Sequence, residues 1–276
     1  MIALAQRNGE AMRIETQPAD RVAELGKTIS ASRLALWFGC RLKFYFRYVV
    51  QIQKPTTPSM HAGSTVHAVL QQWNMARWRR EPFAIEGFKT VFGSQWTALQ
   101  EGMKINWEGE EASNRDSAWR VLQHYFTRTP ITGNEKPEAV EAPVEADLSH
   151  YGLPKLIGII DLVRAGGRIV DFKLTGRTPD SEHLVHVHEA QLTCYSLLYR
   201  DATDRKESGL ELHHLVKTKA PKLIVTSLPP STESQISRLF RQIESYQAGL
   251  ARKDFVPSPG LHCVCCEFFN HCRLWC

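Results

Sequence analysis

The chain has 276 residues, enough for one large domain or two small ones. Its 43% hydrophobic and 23% charged content is that of a chain with a packed core, and no apolar run reaches the 18 residues of a membrane span, so no membrane association is expected. A net charge of +5 permits a nucleic-acid partner without demanding one.

The first twenty residues, MIALAQRNGEAMRIETQPAD, lack the apolar core of a secretory signal. They read as a loosely ordered leader, taken to residue 27, of a cytoplasmic protein. The folded part opens with TISASRLALWFGCRLKFYFRYVV, where Thr28, Ser30 and Ser32 offer helix caps and the apolar spacing is helical. A Pro/Thr loop follows, and then HAGSTVHAVLQQWNMARWRR, a helix starting near Ser64. Further helix is expected between about 83 and 128. From residue 137 the pattern changes to that of strands: AVEAPVEADLS, KLIGIIDLVR and RIVDFKL. HEAQLTCYSLLYRDA is helical, ELHHLVKTK and KLIVTSL are strands, and STESQISRLFRQIESYQAGLARKD is a long amphipathic helix. The order is therefore helices, then β-β-β-α-β-β-α, then a cysteine-rich tail.

The hairpin LIGIIDLVRAGGRIVDFKLTG holds Asp161, Asp171 and Lys173. With Ala165-Gly166-Gly167 as a three-residue loop, a type I turn followed by a left-handed Gly167, Arg164 pairs with Arg168 and Asp161 stands across from Asp171. Their Cβ atoms are then roughly 5 Å apart, with Lys173 on the same face. Two carboxylates this close need a cation between them, or one must take a proton. A Gly-Gly loop would instead send the aspartates to opposite faces. Both registers are open on the hairpin alone, as is the plain reading of an exposed sheet face with a Lys-Asp pair.

Five of the seven cysteines lie between Cys263 and Cys276, a crowding that favours metal over disulfides in a reducing compartment. Cys194 reads as a small core residue. His213 and His214 are adjacent on a strand and point to opposite faces, so they cannot both line one site.

Gly158-Ile-Ile-Asp161, Asp171-Phe172-Lys173 and a helix with Gln191-x3-Tyr195 together resemble the RecB-type branch of the PD-(D/E)XK nuclease superfamily. GSTVHAVL resembles its upstream helix with a metal-ligand histidine, here His67. SASRLALWFGCRLKFYFRYV resembles its opening motif, and CVCCEFFNHC its closing cysteine box. The likeness runs over roughly residues 28 to 276.

The resemblance implies a restriction-endonuclease-like α/β fold, a mixed β-sheet flanked by helices with a helical insertion. It divides the chain into a leader (1–27), an N-terminal helical part (28–61), a helical arch carrying His67 (62–136), the nuclease core (137–254) and a cysteine-rich cluster tail (255–276). It implies a metal-dependent DNA exonuclease acting on single-stranded or duplex ends, in repair, recombination or CRISPR adaptation. Mg2+ or Mn2+ would be held by His67, Asp161, Asp171 and the carbonyl of Phe172, with Lys173 orienting the attacking water. Gln191 and Tyr195 would contact DNA or support the site; equally they would pack the helix on the sheet. Glu141 is a further metal ligand or a solvated strand edge. Arg77 and Arg80, with Trp73 and Trp78 near them, would contact DNA as in a single-strand channel, although a core position is the default for both tryptophans.

In AddB-like and CRISPR-adaptation exonucleases four such cysteines hold a [4Fe-4S] cluster; here these would be Cys40, Cys263, Cys266 and Cys272, with Zn2+ as the alternative. Cys266, Cys272 and Cys276 are a lesser set, and Cys265 is extra to the pattern. No P-loop is present, so unwinding would need a helicase partner. The alternative function is a nuclease-fold DNA-binding subunit of a repair or CRISPR-adaptation complex, without cleavage of its own.

Overall fold

A computed structural model describes residues 18–81 and 84–275. Within the stretch expected as leader, Pro18–Lys27 (α1) is a helix that buries Leu25; residues 1–17 lie outside the described residues. The expected folded start at 28 is thus corrected by ten residues, because an apolar face on α1 packs into the core. Thr28–Ile29 (β1) is a short strand where a helix cap was expected. Ser30 then caps Ala31–Gly39 (α2), its hydroxyl accepting from the Arg33 N–H. The single helix expected from Leu34 to Tyr48 is broken at Cys40, which is extended (φ −164°, ψ 112°). Arg41–Phe44 (α3) and a π-turn at Tyr45–Val49 follow.

Pro58–Arg79 (α4) starts at a Thr57 cap with proline in its first turn, and ends where Arg80 turns left-handed. Phe88–Ala98 (α5) and Glu111–Arg128 (α6) complete this helical group. The strands are Ala139–Ala146 (β2), Lys155–Arg164 (β3), Arg168–Thr175 (β4), Gly209–Val216 (β5) and Lys222–Leu228 (β6). Ser181–Thr203 (α7) joins β4 to β5, making their pairing parallel. Glu233–Ala251 (α8) begins with a Thr232/Gln235 capping box, and Phe269–Arg273 (α9) lies in the tail. Among the described residues no helix is long and apolar enough to cross a membrane.

The mixed sheet runs β1-β3-β4-β5-β6, with β2 on β3. Helices α2, α7 and α8 cover one face, where Trp37, Leu198 and Tyr246 pack on Leu156, Ile160, Ile169 and Leu212. Helices α4, α5 and α6 cover part of the other, where Trp73, Trp96 and Tyr125 pack on Leu162, Val170, Phe172 and Leu215. The second helical group, expected as an arch beside the site, packs its aromatic residues against a sheet face.

The sheet forks at β3. On one edge β3 pairs with β2 from Leu156 to Val163. Its other edge pairs with β1 at Lys155 and Leu156, and with β4 only from Leu162 to Arg164. Between Leu156 and Leu162 that edge has no ladder partner among the described residues. At the same level face alternation slips by one. Leu156 and Ile160 face the α7 side, yet Leu162 faces the α6 side; across from them Val144 faces the α7 side and Val140 the other. Glu141 stands opposite Asp161 at the slip, with φ of +45°, a left-handed backbone inside a strand. The register is the same on both sides of this point, so the ladder carries a local backbone strain without an inserted residue, and such strain is concentrated at functional sites.

Arg164 pairs with Arg168, so the Ala165-Gly166-Gly167 loop has the three-residue register. The turn differs from the expected type I. Gly166 (φ +81°) and Gly167 (φ +76°) are both left-handed, and the Gly167 N–H donates to the Arg164 carbonyl, as in a type II turn extended by one residue. A side chain on Gly167 would also run into the Tyr199 hydroxyl on α7. Gly167→Ala is therefore expected to lower stability by at least about 1–2 kcal/mol, the usual cost of a left-handed L-residue, measured by urea unfolding against wild type.

Candidate active site

The fork lets Asp161 act as a strand partner through its side chain. Where the β3–β4 ladder has ended, its Oδ2 accepts the Phe172 N–H at 2.9 Å, so opening the sheet leaves no orphan donor there. His67, on the middle of α4, brings Nδ1 to 3.6 Å from the same Oδ2. Ligand atoms of His67, Glu141 and Asp161 all lie within 4.8 Å of one another. The three come from α4, β2 and β3, and a cleft lined by Gly63, Ser64, His67, Gln71, Glu141 and Lys173 opens over them.

This set is strained electrostatically as well as sterically. Burial, and then the charge of Asp161, push the Glu141 carboxyl up to about 7. Burial, and then the charge of Asp171, raise that of Asp161. Carboxylates held together against both desolvation and repulsion are stabilised by a divalent cation, and a mixed imidazole–carboxylate shell is suitable for one. The residues present thus fit a metal.

Asp171 and Lys173 sit beside this set, on β4. The Lys173 ammonium lies 2.8 Å from Asp171 Oδ2. Gln191 Nε2 donates to Asp171 Oδ1 at 3.0 Å, and the Tyr195 hydroxyl donates to the same oxygen at 3.4 Å. Gln191 also reaches the Tyr195 hydroxyl at 2.8 Å. Gly158 lets α7 come this close, since a Cβ there would be 2.7 Å from Leu198. In this arrangement Asp171 is held by its own strand and α7 rather than grouped with His67 and Asp161.

Arg77, expected at the substrate, is corrected by its burial: only 2% exposed, it donates to Asn74 and to the Glu135 carbonyl and lies over the Trp73 ring. The correction has a physical cause, because α4 packs that face onto α6 and the sheet. Arg80 is exposed at the end of α4, about 20 Å along the helix from His67 at 1.5 Å per residue. Trp73 is core; Trp78 is exposed, with Lys136 over its ring. His213 bonds to Tyr125 and Glu211 on the α6 side, while His214 lies by His188 of α7. Glu141, expected either as a further metal ligand or as a solvated strand edge, lies with His67 and Asp161, although nothing in AVEAPVE marks a left-handed glutamate.

Away from this cleft, Cys40, Cys263, Cys266 and Cys272 line one apolar cavity with Leu42, Phe46 and Phe268. Among the described residues no three of these thiols come within 4.8 Å of one another. Lys43–Glu267, at 2.8 Å, and an Arg41–Asp254 ion pair fasten α3 to the tail and its approach. Cys265 is exposed, Cys194 is buried in the core, and Cys276 lies outside the described residues.

The family model described as the PD-(D/E)XK nuclease superfamily matches residues 28–273. The chain belongs to that superfamily. Nucleases of this superfamily use divalent metals such as Mg2+ or Mn2+, and the His67–Glu141–Asp161 set is the matching candidate in this one. A solved structure of a candidate exonuclease from Eubacterium rectale aligns with a TM-score of 0.61 and 14% identity, over 99% of this chain and 94% of that one. A second, named SSO0001, aligns at a TM-score of 0.41 and 13% identity, over 94% of each chain. Among curated proteins none matches the sequence.

The raised Glu141 and Asp161 carboxyls give a signed pH dependence. A carboxyl whose folded pKa lies above its unfolded value stabilises the fold fully below the unfolded pKa, and that contribution is lost as pH rises from there through the folded pKa. Metal-free nuclease is expected to lose melting temperature as pH rises from about 4.5 to about 7, between the ordinary glutamate value and the raised Glu141 value. Glu141→Gln should flatten that slope, and saturating Mn2+ should reverse it in wild type; differential scanning calorimetry in EDTA and in Mn2+ measures both.

Proposed function

We propose that this nuclease is a metal-dependent exonuclease of the RecB-type branch, hydrolysing phosphodiester bonds at DNA ends, single strands foremost. The observation that carries the reading is the convergence of His67, Glu141 and Asp161 beside the Asp171–Lys173 pair. His67, Glu141 and Asp161 would hold the cation, joined by Asp171 and the Phe172 carbonyl once substrate is bound. A divalent ion there supplies a water of lowered pKa and offsets charge on the phosphate.

The chain's own groups do the rest. Lys173, steered by Asp171, presents an ammonium to the attacking water and to the phosphate oxygens, where negative charge grows in the transition state. Gln191 and Tyr195 fix the Asp171 carboxylate so that Lys173 keeps its direction. The name given to the Eubacterium rectale neighbour favours action at ends, and the groove described below favours single strands.

The cysteine cavity is read as a [4Fe-4S] site. Four thiols lining one cavity satisfy a tetrahedral zinc or a cluster equally, and the resemblance of the cysteine box to that of AddB-like exonucleases favours the cluster. Its role would be structural, closing the long loop between residue 40 and the tail.

Two experiments test these assignments. End-labelled single- and double-stranded DNA incubated with Mg2+, Mn2+ or EDTA should be digested only with metal. Asp171→Ala should abolish digestion, and Lys173→Ala should slow it by about a hundredfold or more. Binding without digestion in any metal would leave the DNA-binding subunit as the function. Separately, protein purified without oxygen should be brown and contain iron, and Cys272→Ser should lose both iron and melting temperature. Zinc in place of iron would overturn the cluster.

A further inference from the structure

Lys173 lines two cavities. One is the cleft over His67 and Glu141. The other is a groove of about 520 Å³ between α2, α7 and α8, whose wall nearest the active site is Lys173, His188 and Gln191. A phosphate at the metal set would therefore have the cleft on one side and this groove on the other. The groove's volume falls within the range of small-molecule pockets.

Two of its lining residues are exposed apolar side chains. Phe38 on α2 is 45% exposed, although its neighbours Leu34 and Trp37 are buried. Val187, on the facing helix α7, is 71% exposed. Both line the groove. The groove thus offers two unburied apolar side chains, one of them aromatic, from separate helices. Polar groups surround it. Among its lining residues Glu189 is the only carboxylate, and Arg238 binds it at 2.8 Å, so little repulsion meets an incoming phosphate.

We propose that this groove takes the terminal nucleotide of a DNA single strand, its base stacked on Phe38 against Val187, while the phosphodiester joining it to the next nucleotide lies at Lys173 and the metal set. The inference rests on the nuclease reading above and extends it to the nature of the end recognised. A duplex end would have to fray to fill the groove, since a paired base cannot enter between two helices. An aromatic face accepts any base, so the end is selected by being unpaired and not by its sequence.

The test varies base and protein together. Single strands are prepared with a normal or an abasic terminal nucleotide, at either end, and cleavage of the terminal bond is followed in the metal that supports digestion. Stacking on one aromatic side chain predicts that wild type cuts the normal end about tenfold faster in kcat/KM than the abasic end. Phe38→Ala should cut both at the slower rate, and Phe38→Trp should restore the preference. A general loss of folding would slow both substrates without removing their ratio. Equal rates for the two ends in wild type, or the same ratio in Phe38→Ala, would overturn the groove assignment while leaving the nuclease reading intact. Absence of cleavage by wild type in every metal would overturn the nuclease reading, and this inference with it.

Discussion

One hydrogen bond explains why the site is where it is. A sheet that opens must leave backbone donors facing the gap, and an unpartnered buried N–H is costly. Here Asp161 fills the place of the missing strand by accepting the Phe172 N–H with its carboxylate. The same carboxylate faces His67 and Glu141. The group that stabilises the fork is thus the group the fork exposes, and the metal set and the break in the ladder have one cause.

The fork also sorts the chemistry onto two layers. His67 comes from the α4 layer, while Gln191 and Tyr195 come from α7 on the opposite face. These layers reach common ground only where the sheet is open between β3 and β4. Elsewhere the sheet separates them, as adjacent residues on β5 illustrate: His213 belongs to the Tyr125 network and His214 to the His188 side. The glutamate at φ +45° belongs to this arrangement. Its backbone strain and raised carboxyl are both held in place by the β2–β3 pairing on either side, which is how folds retain local strain at functional positions.

Much of this was legible in the residues. The β-β-β-α-β-β-α order came from hydrophobic period, which acts locally, whereas the two glycines allowed either hairpin register and only the surrounding motifs favoured the three-residue one that is observed. Gln191 and Tyr195 meet Asp171 because residues four apart share a helix face. What sequence could not supply were effects of packing between distant segments. Arg77 reads as a surface arginine in RWRR, yet the turn of α4 that carries it faces Glu135 and the sheet. Glu141 lies in an ordinary-looking strand, and its inward role depends on the left-handed backbone it adopts opposite Asp161. The break at Cys40 likewise goes against the helical spacing around it, and its reason lies more than two hundred residues away, in the tail that shares its cavity.

That distant tie bears on the active site through α2. The helix begins beside β1, at the lower end of the fork, and stops at Cys40. Its last turn carries Phe38 to the groove, and the residue two positions on lines the cysteine cavity. A nine-residue helix is too short to hold its own direction in water. Two anchors hold this one: Leu34 and Trp37 buried against α8, and Cys40 at its end. A cluster that binds Cys40 to Cys263, Cys266 and Cys272 would therefore set the position of a groove wall as well as closing the chain. Such a cluster would thus act on the substrate by fixing the helix against which its end is proposed to rest.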